Sequence, residues 1–230
     1  ENLLDQSSLF LQQLVNGITL GGVYALIAVG YTMVYGVIQL INFAHGEIYM
    51  LGAFLAYTLV AALGMPFFAA FVLTLVICAL LGVILDFVAY RPLRKAPRLA
   101  ALITAIGMSI FLQNMAMLIW GSQIKSYPRD MLPAFFSEAA ITFGDVTLSW
   151  LQLFILSITL LSMIILHLTI HKTRIGMAMR AISQDKTASA LMGIGVNRVI
   201  SFTFAIGSAM GAMAGILVGL YYNAIFPTMG

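Results

Sequence analysis

The chain reads as an all-α, polytopic transmembrane helix bundle, on its composition, the spacing of its charges and the continuity of its apolar runs. Of its 230 residues 62% are hydrophobic and 8% charged, and the mean hydropathy is +1.03. A water-soluble fold of this length has too little interior to hide that apolar surface, so the bilayer is the solvent. No Asp, Glu, Lys or Arg occurs between Gln6 and Gly46, Ile48 and Leu85, Leu99 and Ile124, Val146 and His171, or Val199 and Gly230. Each gap holds at least one span of about 20 residues. Backbone groups in hydrocarbon need internal partners, and long unbroken apolar runs select helices over a barrel of alternating strands.

About six spans are expected, near Leu11–Val34, Phe43–Leu63, Phe67–Tyr90, Ala100–Trp120, Leu151–His171 and Ile200–Tyr222, in a single domain over residues 1–230. Arg91, Arg94, Lys95 and Arg98 follow the third span, and a second basic loop follows the fifth. After the fourth, Lys125 and Arg129 are offset by Asp130, Glu138 and Asp145. Basic loops stay inside, which places the loops after spans three and five in the cytoplasm and the segment of about 121–150 outside. Counting back puts the amino terminus outside with Glu1 and Asp5, provided that Gly64-Met65-Pro66 is a tight turn. In the outer segment, Ile141-Thr142-Phe143 and Val146-Thr147-Leu148 alternate around Gly144-Asp145, the pattern of a short hairpin. It forms either a rim for an external partner or a lid over loop backbone.

The single cysteine, Cys78, excludes a disulfide framework. No Lys or Arg precedes the first apolar run and no small-residue cleavage pattern follows it, so the first span is expected to stay. The net charge of +3 has no basic face of the kind that binds nucleic acid.

Polar residues interrupt the apolar sequence at Ile41-Asn42-Phe43-Ala44-His45-Gly46-Glu47. On a helix, positions 42, 45 and 49 share a face, so Asn42, His45 and Tyr49 lie together and Glu47 points elsewhere. Two readings stand. Either a discontinuous helix lines a solute path with Asn42, His45, Glu47 and Tyr49, or a helix starts here with Asn42 as its cap and Glu47 in the first turn. His-x-Glu alone lacks further ligands for a metal, and His167 and His171, four apart, read as an interfacial pair. Neither a nucleophile motif nor a phosphate-cradling loop is present, so no enzyme, metal or cofactor is expected.

Gly207, Gly211, Gly215 and Gly219 repeat every four residues and lay a flat stripe for close helix packing, with Gly17 and Gly21 as a shorter second face. Ahead of them lies a charged island at about 172–198. Positions 177, 181, 188 and 192 form one apolar stripe there, with Arg180, Gln184 and Lys186 away from it, and Gly193 and Gly195 as a stop. This predicts a short amphipathic helix, docked on a partner or lying among lipid headgroups.

The run Asn42-Phe43-Ala44-His45-Gly46-Glu47, then Tyr49-Met50-Leu51-Gly52-Ala53, resembles the signature of inner-membrane permeases of bacterial ABC importers for branched-chain amino acids. Asn16-Gly17-Ile18-Thr19-Leu20-Gly21 with Tyr24-Ala25-Leu26 is similar to the same family. So is Arg180-Ala181 with Asp185, Ala188 and Leu191-Met192-Gly193-Ile194, and the fit is to the LivH-type subunit over nearly the whole chain. The resemblance implies a channel-forming, non-catalytic subunit in the bacterial inner membrane. It implies pairing with a second related permease and two ATP-binding subunits that hydrolyse ATP, and a periplasmic binding protein that delivers leucine, isoleucine or valine. In ABC permeases a cytoplasmic helix with a Glu-Ala-Ala-x-x-x-Gly pattern inserts into the ATPase. Thr187-Ala188-Ser189 and Gly193 keep one alanine and the glycine but lack the acid, for which Asp185 stands nearby. Arg180, Asp185, Lys186, Ala188 and Gly193 are the coupling residues so implied. The family's permeases continue with further spans beyond the position of Gly230. Related permeases for urea, short amides or sugars share the bundle, and an intramembrane enzyme using His45 and Glu47 is the rival class.

Overall fold

The protein is described by a computed structural model that covers residues 2–94, 96–128, 130, 132–143 and 146–230. Glu1, Lys95, Arg129 and the Gly144-Asp145 turn, used in the orientation and hairpin readings, lie outside the described residues. Among the described residues eight α-helices follow in order: α1 (Asn2–Ile38), α2 (Ala44–Ala61), α3 (Phe67–Leu85), α4 (Arg98–Trp120), α5 (Trp150–Lys172), α6 (Arg174–Gln184), α7 (Lys186–Leu191) and α8 (Val196–Tyr222). A π-turn, Asp86–Tyr90, extends α3, and strands β1 (Ala139–Phe143) and β2 (Val146–Ser149) precede α5.

The helix boundaries follow local chemistry. Pro66 and Pro97 stand immediately before α3 and α4, where a missing N–H has no consequence. Ser149 opens α5 with a capping box: its hydroxyl accepts from the Gln152 N–H at 3.2 Å, and Gln152 Oε1 accepts from the Ser149 N–H at 3.1 Å. α1 is longer than expected, because the polar residues before Leu11 continue the helix beyond what the hydrocarbon needs.

Among the described residues five helical stretches are long and apolar enough to cross a membrane: Ser7–Ile38, Phe67–Tyr90, Leu99–Trp120, Trp150–Lys172 and Val196–Tyr222. The remaining expected span, α2, has 18 residues and carries Glu47 in its first turn. It packs between α3, α4 and α8, so protein meets its polar groups.

The helix α8 is the axis of the bundle, packed on α1, α2 and α3. Of its most apolar window 78% is buried, against 11% for α4, which is therefore peripheral. Its glycines set the distances. A Cβ on Gly207 would meet Val34 Cγ2 at 2.5 Å, one on Gly211 would meet His45 Cε1 at 3.3 Å, and one on Gly219 would meet Tyr127 Cε2 at 3.0 Å. On Gly215 it would overlap the Tyr49 carbonyl oxygen. From the other side, a Cβ on Gly52 of α2 would lie 2.5 Å from Ala212 Cα. Such approach gains dispersion contacts along both backbones. The expected second face differs: Gly17 and Gly21 are exposed and a Cβ on either would meet nothing within 4 Å, because Gly22 and Gly30 are the α1 glycines turned inward.

At one end of the bundle β1 and β2 pair antiparallel, Phe143 opposite Val146 and Ile141 opposite Leu148. Gln12 of α1 holds this hairpin by acting as a further strand would. Its Oε1 accepts from the Thr147 N–H at 2.8 Å while its Nε2 donates to the Thr147 carbonyl at 3.1 Å. Gln152 Nε2 completes the junction by donating to Asn16 Oδ1 at 2.9 Å. Nearby, Tyr127 donates to the Ala53 carbonyl at 2.9 Å, and its burial pushes the phenol up, so it remains a donor.

Candidate functional site

The break between α1 and α2 carries the polar residues singled out in the sequence. α1 stops where Gln39 adopts φ 59, a left-handed conformation unusual for a residue with a side chain. Asn42 is buried, and its Oδ1 accepts from Tyr90 Oη in the π-turn at 2.7 Å. It does not cap α2: the N-cap position is Phe43, with no side-chain hydrogen bond, because the Asn42 side chain is already turned to α3.

His45 is 2% exposed, in a slot between Gly30 of α1 and Gly211 of α8, and edge-on to Tyr31 with ring centroids 5.9 Å apart. Its ring lies beside the Ile27 carbonyl without hydrogen-bond geometry. From Gly30 to the end of α1 at Ile38 the helix rises about 12 Å, so His45 sits at depth in the bundle rather than at its edge. Glu47, also buried, points the other way, and its Oε1 accepts from Ser109 Oγ of α4 at 2.8 Å.

Tyr49 lines a cavity of about 770 Å³ together with Tyr24, Ile27, Gly46, Val218 and Tyr222. Among the described residues no Asp, Glu, Lys or Arg side chain lines it. Of Asn42, His45, Glu47 and Tyr49, Tyr49 alone reaches this space. His45 and Tyr49 both face α1 and α8 and Glu47 points away from them to α4, so the face expected for Asn42, His45 and Tyr49 loses only Asn42, which turns to the end of α3 at the break.

At the opposite end from the hairpin, the charged island forms two helices instead of one. Asp185 divides them: its carboxylate accepts from the N–H groups of Thr187 and Ala188 at 2.8 and 2.9 Å and caps α7. Gly193, at φ 83, ends the segment, and Ile194 N–H returns to the Ser189 carbonyl at 3.1 Å. Met179 and Ile182 face the bundle. Met177, Arg180, Ala181, Ala188 and Met192 instead line an outward depression of about 530 Å³. Leu191 and Met192 are 84% and 83% exposed. Lys186 is exposed but reaches the end of α1, where its Nζ donates to the Ile38 carbonyl.

Sequence reasoning missed a buried ion pair. Asp86, fully buried in the π-turn, is bound by Arg94 and by Ser201 Oγ of α8, the latter at 2.6 Å, and Arg94 also reaches Asn197. The signal was present, since Asp86 is an acid inside an expected span and a basic cluster follows it. His167 and His171 stack at 4.3 Å between centroids, and among the described residues no group of three His, Cys, Asp or Glu is placed to hold a metal.

The geometry thus comprises an axial helix closed on its neighbours by glycines, a cavity with uncharged side chains, open on one side, and apolar side chains exposed at one end. Residues 13–230 match the family described as branched-chain amino acid transport system, permease component. The chain belongs to that family. It is 46% identical over 229 residues to the high-affinity branched-chain amino acid transport system permease protein BraD of Pseudomonas aeruginosa, covering 96% of this chain and 74% of BraD. It is 44% identical over 239 residues to the LivH permease protein of Escherichia coli K12, covering 98% of this chain and 76% of LivH. With LivH of Salmonella typhimurium the identity is 43% over 234 residues, with the same coverage of 98% and 76%. No solved structure matches. The protein is a multi-pass permease of the bacterial inner membrane.

Proposed function

We propose that the chain is the permease subunit of an ABC importer that moves leucine, isoleucine and valine across the inner membrane. The observation that carries this reading is the match to permease proteins of high-affinity branched-chain amino acid systems over 96–98% of the chain. The cavity at Tyr49 supports it: aromatic and uncharged walls suit an aliphatic side chain and oppose a charged one. In this reading Tyr49 lines the path, Asn42, His45 and Glu47 position its wall, and Gly207, Gly211, Gly215 and Gly219 let the helices move as rigid units.

ATP is bound and hydrolysed by two partner subunits, so this chain is not itself an enzyme and holds no cofactor. Arg180, Asp185, Lys186, Ala188 and Gly193 belong to the cytoplasmic coupling segment of about 172–198, whose outward depression receives one of those partners. A second related permease completes the membrane unit, lipid surrounds it, and a periplasmic amino-acid binding protein docks over the outer segment of about 121–150. A ligand shifts such an assembly only by binding its two states unequally, which is the partners' contribution on nucleotide exchange. Reconstitution of the full assembly in vesicles tests the proposal. Uptake of labelled leucine that requires both ATP and the binding protein is expected. ATP-driven uptake of urea or a sugar with no leucine uptake would reassign the cargo.

A further inference from the structure

The last turn of α1 holds no basic residue, although the free carbonyls of a helix C-terminus favour a cation. The cation arrives from elsewhere in the chain: Lys186 Nζ, on the first residue of α7, donates to the Ile38 carbonyl at 2.5 Å. One residue further, Gln39 Nε2 donates to the Ser183 carbonyl in the last turn of α6 at 3.1 Å. Ser183 and Lys186 flank Asp185, so the α6–α7 turn grips the end of α1 from both sides of its own bend. The far side of the break is fixed independently, through Asn42 to Tyr90.

Between these anchors the backbone has a discrete alternative. Gln39 is left-handed at φ 59, and the right-handed conformation would continue α1 instead of ending it. Space for such a change exists, because Gln39, Leu40 and Ile41 border a crevice of about 270 Å³ shared with Leu99, Ala101 and Leu102. The break leads directly into the first turn of α2, which holds His45 and, one turn on, Tyr49 at the cavity.

We infer that Lys186 and Gln39 are positioning residues that tie the α6–α7 turn to the α1–α2 break, so that displacement of the turn reorients the start of α2 and the cavity wall. The inference rests on the importer reading for its driving force, not for the linkage itself. Lys186 therefore acts on the end of α1.

Two measurements on the full-length protein separate the parts. In nanodiscs without partners, Lys186→Met keeps the stem but removes the donor. Amide exchange across residues 39–47 should then rise about tenfold, the loss expected for one charge-assisted hydrogen bond, while α8 is unchanged. In the reconstituted assembly the same variant should hydrolyse ATP yet carry about tenfold less leucine per ATP, with Lys186→Arg restoring most of the ratio. Unchanged exchange at 39–47 would overturn the linkage whatever the cargo proves to be. Raised exchange with an unchanged transport ratio would overturn the transmission role. If wild-type assembly shows no ATP-driven uptake, the importer reading fails, and the exchange result alone still decides the linkage.

Discussion

Gly215 in α8 lies so close under the Tyr49 carbonyl of α2 that the two backbones leave no room for a β-carbon. Gly215→Ala should therefore force α2 and α8 apart and destabilise the protein by about 1–3 kcal/mol. Gly17→Ala, where a Cβ meets nothing within 4 Å, should be neutral or slightly stabilising, since alanine favours helix. Thermal unfolding in detergent compares the two, and equal losses would contradict the packing.

Asp86 and Arg94 form a pair that tolerates double replacement better than single replacement. Asp86→Asn leaves the guanidinium, whose side chain is 16% exposed, facing a neutral group. The cost should be about 3 kcal/mol, and Asp86→Leu combined with Arg94→Met should recover much of it. A double-mutant cycle reads the coupling; additive losses would show that the two side chains act separately.

The hairpin depends on one side-chain amide. Gln12→Ala removes both bonds to Thr147 and should weaken docking of β1 and β2 on α1 by about 1–2 kcal/mol. Limited proteolysis should then cut faster within residues 139–149, with the helices protected. An unaltered cutting rate would mean that Gln152 and Asn16 suffice.

Leu191 at the end of α7 and Met192 just after it are without cover in this chain. Leu191→Asp with Met192→Asp should leave the isolated permease folded but reduce recovery of the ATP-binding subunits on co-purification by tenfold or more, as loss of a buried apolar anchor does. Full recovery would move the docking surface elsewhere.

Fold class was legible because unbroken apolar runs between charges have few interpretations in a bilayer. Which helix lies at the centre was not readable from hydropathy, which is equal for α4 and α8 although one is peripheral and the other axial. The four-residue glycine period was what distinguished α8. The polar break was visible at Asn42, His45 and Glu47, yet its geometry was not, since a sequence shows spacing along one helix and these side chains serve three different neighbours. Asp185 illustrates the same limit. In the sequence its acid stands near the place of the missing glutamate of the coupling pattern, whereas in the fold its carboxylate closes the first turn of α7.

The lysine that covers the end of α1 has a consequence for biogenesis, because donor and acceptor are 148 positions apart in the chain. A ribosome adding about 5–20 residues per second needs roughly 7–30 seconds to travel that far. Throughout that interval the first helix emerges and enters the lipid with its terminal carbonyls hydrated, and its anchoring awaits the arrival of a segment made much later. Early insertion and final locking of α1 are thus separate events in the life of the nascent protein.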